Sequence, residues 1–303
     1  MKQKLFALYG VLCVLVFLYA CEKEVPYPPQ NENKLVVFSY IAPNKDVVVK
    51  LSLSKAYFGE SYIFNPVQPE LNNADVFISD GSISTPLPHI ANSTFGVSNT
   101  TLIVAGKTYT LKVSHPLYGN ISAQTIVPQP IQDPTFDFVA LKKDIEANQY
   151  YPIDLYSYNF SVSNATSSNM YNRFYPTIEI GSLSKSSDTY NFAMNNPADG
   201  VPYLIETSGS ANARVERALT LTKQYTPQDY IKLTSSSSII KHTGHFIACS
   251  KDYYLFYKTA QRNISVSPDS PFAQFDNIYS NIVGGYGVFA GYNEIVLVKN
   301  TIY

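Results

Sequence analysis

Lys34-Leu35-Val36-Val37-Phe38-Ser39-Tyr40-Ile41, stopped by Pro43-Asn44-Lys45-Asp46 and resumed as Val47-Val48-Val49-Lys50-Leu51-Ser52-Leu53-Ser54, decides the fold class of this chain. Both runs are dominated by β-branched, aromatic and apolar residues, and turn formers separate them, so the pair predicts a β-hairpin. Similar segments follow. Ala74 to Ser79 is a strand closed by Asp80-Gly81. Thr108 to Val113 alternates, so that Tyr109, Leu111 and Val113 share one face, and Gly119-Asn120 turns the chain into Ile121 to Val127. Pro128-Gln129-Pro130 marks a break. Many short strands with no amphipathic helix between them predict a β-sandwich of immunoglobulin or transthyretin type over residues 34–128.

Residues 129–303 read as a second β-rich domain, with strands at Leu155–Val162, Tyr171–Ile180, Arg214–Tyr225, Tyr230–Leu233 and Ile239–Ala248. One segment departs from that pattern. Ser250 is placed to cap a helix over Lys251 to Arg262, with Asp252 in its first turn. Tyr253, Phe256, Tyr257 and Ala260 fall on one helical face, which reads as core packing, with ligand stacking as the alternative. The Ser/Asn-rich stretches 163–169, 184–188 and 234–238 are expected to be loops or turns. The fold class is therefore mostly β with one short helix.

Working outward to the N-terminus, Lys2 and Lys4 precede an almost wholly apolar run from Leu5 to Tyr19, and Ala20 stands directly before Cys21. This is the layout of a secretory signal peptide. Its ending, Leu18-Tyr19-Ala20-Cys21, resembles a bacterial lipobox, in which the thiol takes a diacylglyceryl group before cleavage. Residues 1–20 are then the signal peptide, cut between Ala20 and Cys21, and Cys21 is the lipidated first residue. The alternative is an uncleaved membrane helix. The apolar run is short for that, since a span needs about 20 residues. Glu22-Lys23-Glu24 also gives no positive stop-transfer flank. Pro26, Pro28 and Pro29 favour an extended conformation, so residues 21–33 form a tether holding the body about 30 Å from the lipid.

Without residues 1–20, 20 basic residues face 23 acidic ones, a net charge of −3 with no basic cluster. Nucleic-acid binding is excluded as an expectation. Tyr (25) and Phe (17) abound while charged residues are only 15 % of the chain, which suits half-buried strands. Of the three cysteines, Cys13 leaves with the signal peptide and Cys21 carries lipid, so Cys249 has no disulfide partner. The length of residues 21–303 allows two hydrophobic cores, since a single core stops growing at about 250–300 residues.

Catalytic chemistry is hard to find. His242 and His245 are three apart on an expected strand, so they point to opposite faces and cannot share a metal without a bend. No metal and no cofactor is expected. Gly285-Tyr286-Gly287-Val288-Phe289-Ala290 matches the dinucleotide fingerprint G-x-G-x-x-A, but that motif works only where a strand turns into a helix. Glu294 to Val298 reads as a strand instead, so the glycines are assigned to a bulge or tight turn between final strands. Cys249, with His242 or His245 as base, is a formal nucleophile, but its apolar surroundings read as inert packing. Asp75, Asp154 and Asp276 are carboxylates that only the fold can bring together. Tyr150-Tyr151 and Tyr156-Ser157-Tyr158 either expose rings for recognition or pack along a strand face.

Taken in order, several of these segments resemble a Bacteroidota lipoprotein family known as domain of unknown function 4249. They are the lipobox with its acidic follow-on, Lys34 to Ile41, Ala74 to Gly81, Gly106 to Val113, Thr125 to Pro128, and above all Asn277-Ile278-Tyr279-Ser280-Asn281-Ile282-Val283-Gly284-Gly285-Tyr286-Gly287-Val288-Phe289. The resemblance implies an outer-membrane lipoprotein, often encoded beside a TonB-dependent transporter, and it brings no catalytic residues. Within that phylum Glu22, Lys23 and Glu24 also resemble a surface-export signal. The expected function is a non-enzymatic accessory to such a transporter in nutrient binding or uptake. The alternatives are a structural or assembly factor of the envelope, or a surface hydrolase.

Overall fold

The computed structural model describes residues 33–54, 69–98, 101–145, 153–163, 170–182, 185–191, 203–207, 214–224, 238–264 and 277–302. In chain order the strands are β1 (Leu35–Ile41), β2 (Val47–Leu53), β3 (Asp75–Ser79), β4 (Ser84–Pro86), β5 (His89–Ala91), β6 (Thr94–Val97), β7 (Thr108–His115) and β8 (Gly119–Ile126). They continue as β9 (Gln132–Ile145), β10 (Ile153–Ser163), β11 (Met170–Ser182), β12 (Lys185–Asn191), β13 (Tyr203–Thr207), β14 (Arg214–Gln224) and β15 (Ser238–Cys249). The helix α1 (Lys251–Ile264) and the long strand β16 (Tyr286–Ile302) complete the order. Among the described residues the chain is mostly β with one short helix, as its alternation predicts.

Among the described residues nine strands form one sheet, in the order β12-β11-β15-β16-β1-β2-β6-β5, with β13 also paired to β11. It takes strands from both sides of residue 128. Two smaller sheets, β4-β3-β7-β8 and β14-β10-β9, supply the layers packed on it. The reason is strand periodicity. On β1 and β2, Leu35, Val37, Val49 and Leu51 turn inward and pack with Val76, Ile78, Leu111 and Val113 of the four-stranded sheet. On β11 and β15, Phe174, Ile178, Ile240 and Phe246 pack with Phe136, Tyr158 and Phe160 of the three-stranded sheet. Phe160 stacks on Phe174 with ring centroids 3.9 Å apart. β16 serves both cores, giving Phe289 to the first and Ile295 and Leu297 to the second.

The opposite face of the large sheet carries α1. Tyr253, Phe256 and Tyr257 lie with Tyr40, Ile247, Cys249, Val288 and Tyr292, so the helical stripe is core packing. Ser250 caps α1 as its sequence predicts: its Oγ accepts the Tyr253 N–H at 3.2 Å and also the Gly291 N–H at 3.3 Å. Asp252, in the first turn, accepts from Thr125 Oγ1 at 3.0 Å and from the Tyr279 hydroxyl at 2.7 Å. Ser250→Ala removes an acceptor for two buried amides, and it should lower unfolding free energy by about 1–2 kcal/mol in urea titrations.

Two local expectations fail. Residues 185–188 belong to β12, which pairs antiparallel with β11 through Thr177↔Asn191 and Ile180↔Asp188. A strand beside β11 is held by main-chain bonds, which a polar Ser/Asp-rich run supplies as well as an apolar one. The final glycines do not sit between two strands either, since Tyr286 to Ile302 is one continuous strand, parallel to β1. Gly284, at φ +85°, follows the bridge between Val283 and Ser122, and Gly287, at φ +105°, lies directly against Val37.

Candidate functional site

The face of β11, β15 and β16 opposite the aromatic core forms a groove of about 310 Å³. Strand alternation selects its lining. β11 presents Tyr175, Thr177 and Glu179, and β15 presents Lys241, Thr243 and His245. The register sets them opposite one another as Tyr175↔His245, Thr177↔Thr243 and Glu179↔Lys241. β16 adds Val296 beside His245 and Val298 beside Thr243. The residues between these, such as Phe174, Ile178 and Phe246, point into the core on the other side.

The groove holds an ordered polar relay. His245 Nδ1 lies 2.8 Å from Glu294 Oε1, and its Nε2 lies 3.2 Å from Thr177 Oγ1. A carboxylate only accepts, so in the neutral ring Nδ1 carries the hydrogen and Nε2 accepts from the Thr177 hydroxyl. The bond from His245 holds the Glu294 carboxyl below its ordinary range, against the opposing effect of burial. Lys241 Nζ and Glu179 Oε2 form an ion pair at 2.8 Å. Thr243 is buried, and its Oγ1 has no hydrogen-bond partner among the described residues. An unmet buried hydroxyl costs about 1–3 kcal/mol, so it marks a place where an incoming polar group gains a bond.

Hydroxyl, imidazole and carboxylate stand here in the order of a catalytic triad, and magnitude decides what they do. Thr177 is an interior strand position, paired with Thr243 on one side and Asn191 on the other. Its neighbouring amides are committed to the sheet and do not converge on a carbonyl oxygen. Losing even one oxyanion donor slows acyl transfer by about 100- to 1,000-fold. The hydroxyl is also secondary and buried. The array is better suited to hydrogen-bonding a ligand than to attacking one.

Arg173 stands two residues before Tyr175 on β11, on the side of the groove towards α1. Its guanidinium lies 5.0 Å from the Tyr175 ring centre and 4.7 Å from that of Tyr257, and it donates to the Tyr253 hydroxyl. Burial pushes the Tyr253 phenol far up, so that group stays neutral beside the cation. Tyr175 in turn stacks on His245 with centroids 4.4 Å apart. A larger hollow, about 630 Å³, lies along the three-stranded sheet and includes Thr135, Asp137, Ser161 and Lys299. Four of its polar groups already satisfy one another: Lys299 pairs with Asp137 at 3.1 Å, and Thr135 bonds Ser161 at 2.6 Å. Its charges are also largely exposed, which makes the smaller groove the stronger candidate.

The residues singled out from sequence are dispersed. His242 and His245 do point to opposite faces: His242 is buried against Phe138 and bonds the Tyr158 hydroxyl at 3.0 Å, while His245 faces the groove. Cys249 is buried, and that burial pushes its thiol well up, as inert packing requires. Tyr156 and Tyr158 are core residues, which rules out the recognition reading for that pair. Asp75 is exposed on β3, and Asp154 lies on β10. Ala20, Cys21, Glu22, Lys23, Glu24, Tyr150, Tyr151, the Tyr230–Leu233 segment and Asp276 lie outside the described residues. Thr177, Thr243 and Glu294 were missed. For the two threonines the signal was the alternating polar series Tyr175-x-Thr177-x-Glu179 and Lys241-x-Thr243-x-His245, each the polar half of a strand whose other half is strongly apolar.

Among solved structures, Escherichia coli alpha-2-macroglobulin activated by porcine elastase is similar over 73 % of this chain, at 10 % identity and a TM-score of 0.20. The native conformation of the same E. coli protein is similar over 91 % of this chain, at 9 % identity and a TM-score of 0.21. This chain spans 21 % and 17 % of those chains, and at such scores the likeness carries no functional argument. No curated protein matches the chain. One family model does, along residues 22–295, which takes in all the ordered segments from Lys34 to Phe289. The chain therefore belongs to the family described as Domain of unknown function (DUF4249).

Proposed function

We propose that this protein is an outer-membrane lipoprotein, anchored through lipid on Cys21, that acts as a non-enzymatic accessory to a TonB-dependent transporter and holds ligand in the β11–β15–β16 groove. The observation that carries this reading is the lipobox Leu18-Tyr19-Ala20-Cys21 followed by a Pro-rich tether, which leads into a β body with an open polar groove. Two or more acyl chains anchor stably where one does not, since each buried CH₂ contributes about 0.8 kcal/mol. Among the described residues no helix is long and apolar enough to cross a membrane. Glu22, Lys23 and Glu24 fit a surface-export signal in a Bacteroidota envelope. The Thr177–His245–Glu294 relay, whose neighbouring amides among the described residues are committed to the sheet, favours binding over turnover.

The test is a mild-detergent pull-down of tagged protein from native membranes, with Cys21→Ala alongside. The expected result is a TonB-dependent barrel recovered in near-stoichiometric amount with the wild type and lost with the variant. Recovery of the lipoprotein alone, together with unchanged nutrient uptake on deletion, would sink the proposal. Envelope defects on every nutrient would point to an assembly factor instead.

A further inference from the structure

From the groove we infer the class of its ligand: a neutral, polyhydroxylated ring compound, a monosaccharide or disaccharide. This rests on the binding role proposed above and goes one step further. Size comes first, because about 310 Å³ is at the small end of ligand pockets and admits one or two rings. Charge comes second. Lys241 and Glu179 already neutralise each other at 2.8 Å, and Glu294 is met by His245 at 2.8 Å and by Lys45 at 3.9 Å. The remaining cation, Arg173, is covered by the Tyr175 and Tyr257 rings and bonded to the Tyr253 hydroxyl. A ligand carboxylate reaching Lys241 meets Glu179 beside it, and an ammonium reaching Glu179 meets Lys241. Either exchanges one ion pair for another with little gain. A neutral hydroxyl uses the spare donors of Lys241 and the spare lone pairs of Glu179 while leaving their pair intact.

The third argument is the two-sided character of the lining. Thr177 and Thr243 face each other across β11 and β15, and the orphaned Thr243 hydroxyl both donates and accepts, as a sugar hydroxyl does. Beside them Val296 and Val298 are about half exposed on β16, at 46 % and 48 %. A strip of apolar surface next to a row of hydroxyls matches a pyranose, whose C–H face and hydroxyl edge lie on one small body. An aliphatic acid or a free amino acid lacks that combination.

The experiment is calorimetric titration of the full-length lipidated protein in lauryldimethylamine oxide, a detergent without a sugar headgroup. The probes are glucose, galactose, N-acetylglucosamine, maltose and cellobiose, with L-alanine and succinate as the zwitterionic and anionic arms. At least one saccharide should bind, with affinity about tenfold weaker in Thr243→Val and unchanged in Thr135→Val, which alters the other hollow. Unliganded Thr243→Val should melt at a higher temperature than wild type, because it removes an unmet buried hydroxyl. Saccharide binding undiminished by Thr243→Val overturns the inference, as does binding of alanine or succinate with every saccharide silent. Silence from all seven probes overturns it too, and each of these results leaves the transporter partnership to the pull-down.

Discussion

Acidification from pH 7 to pH 4 should remove about 3 kcal/mol of unfolding free energy through His242 alone. The ring is fully buried between the two sheets, stacked on Phe138 at 3.6 Å, with Nδ1 bonded to the Tyr158 hydroxyl. Burial drives its pKa from 6.5 down to about 4. The sign follows from proton counting. Below pH 6.5 the unfolded chain binds a proton that the folded chain refuses, so stability falls as pH drops through this window and levels off below the folded pKa. At about 1.4 kcal/mol per pKa unit the full window gives the stated loss.

His242→Phe isolates this contribution. A phenyl ring keeps the stack on Phe138 and does not titrate, and it relieves the Nε2 atom, which has no partner among the described residues. Against that gain stands the lost bond to Tyr158, so the two proteins should agree within about 1 kcal/mol at pH 7. Carboxylates held low by ion pairs, such as Asp137 with Lys299 and Glu294 with His245, also destabilise the fold when acidified, but they do so equally in both proteins. Urea titrations at several pH values should therefore diverge between pH 6.5 and 4. Parallel curves would show that the His242 ring reaches solvent.

His242 also shows what the sequence makes legible. Its strand, Ile239 to Ala248, is plain from residue types, and the alternation separates it from His245 before any coordinates are known. The hairpin of β1 and β2 and the capped helix α1 are legible for the same reason, since their signals lie within one or two turns of chain. The groove is not legible in that way. Thr177, His245 and Glu294 meet across separations of 68 and 49 residues, and only the pairing of β11 with β15 and β15 with β16 brings them together. Each looks in isolation like an ordinary outward strand residue. The same holds for the closure of the large sheet, because the parallel partnership of β1 with β16 joins residues some 250 positions apart, and no local pattern encodes it.

That closure is the point at which a single methyl group should do most damage. Gly287 pairs with Val37, and a Cβ placed there would lie 1.9 Å from the Val37 carbonyl oxygen and within 3 Å of two more backbone atoms of the same residue. Backbone cannot rotate away as a side chain does, so Gly287→Ala must push β16 off β1. Its φ of +105° adds strain for any L side chain. The expected loss is at least about 3 kcal/mol. Gly81→Ala is the control, since Gly81 has φ +92° but nothing within 4 Å of its Cβ. That variant carries the backbone strain without the collision and should lose only about 1–2 kcal/mol. The difference between the two, read from urea unfolding of both proteins, is the cost of separating the strands. The consequence reaches the groove, because β16 carries Glu294, Val296 and Val298 into it from the same register. If Gly287→Ala proves no worse than Gly81→Ala, β1 and β16 are not joined through Val37 and Gly287, and the central register of the large sheet is wrong.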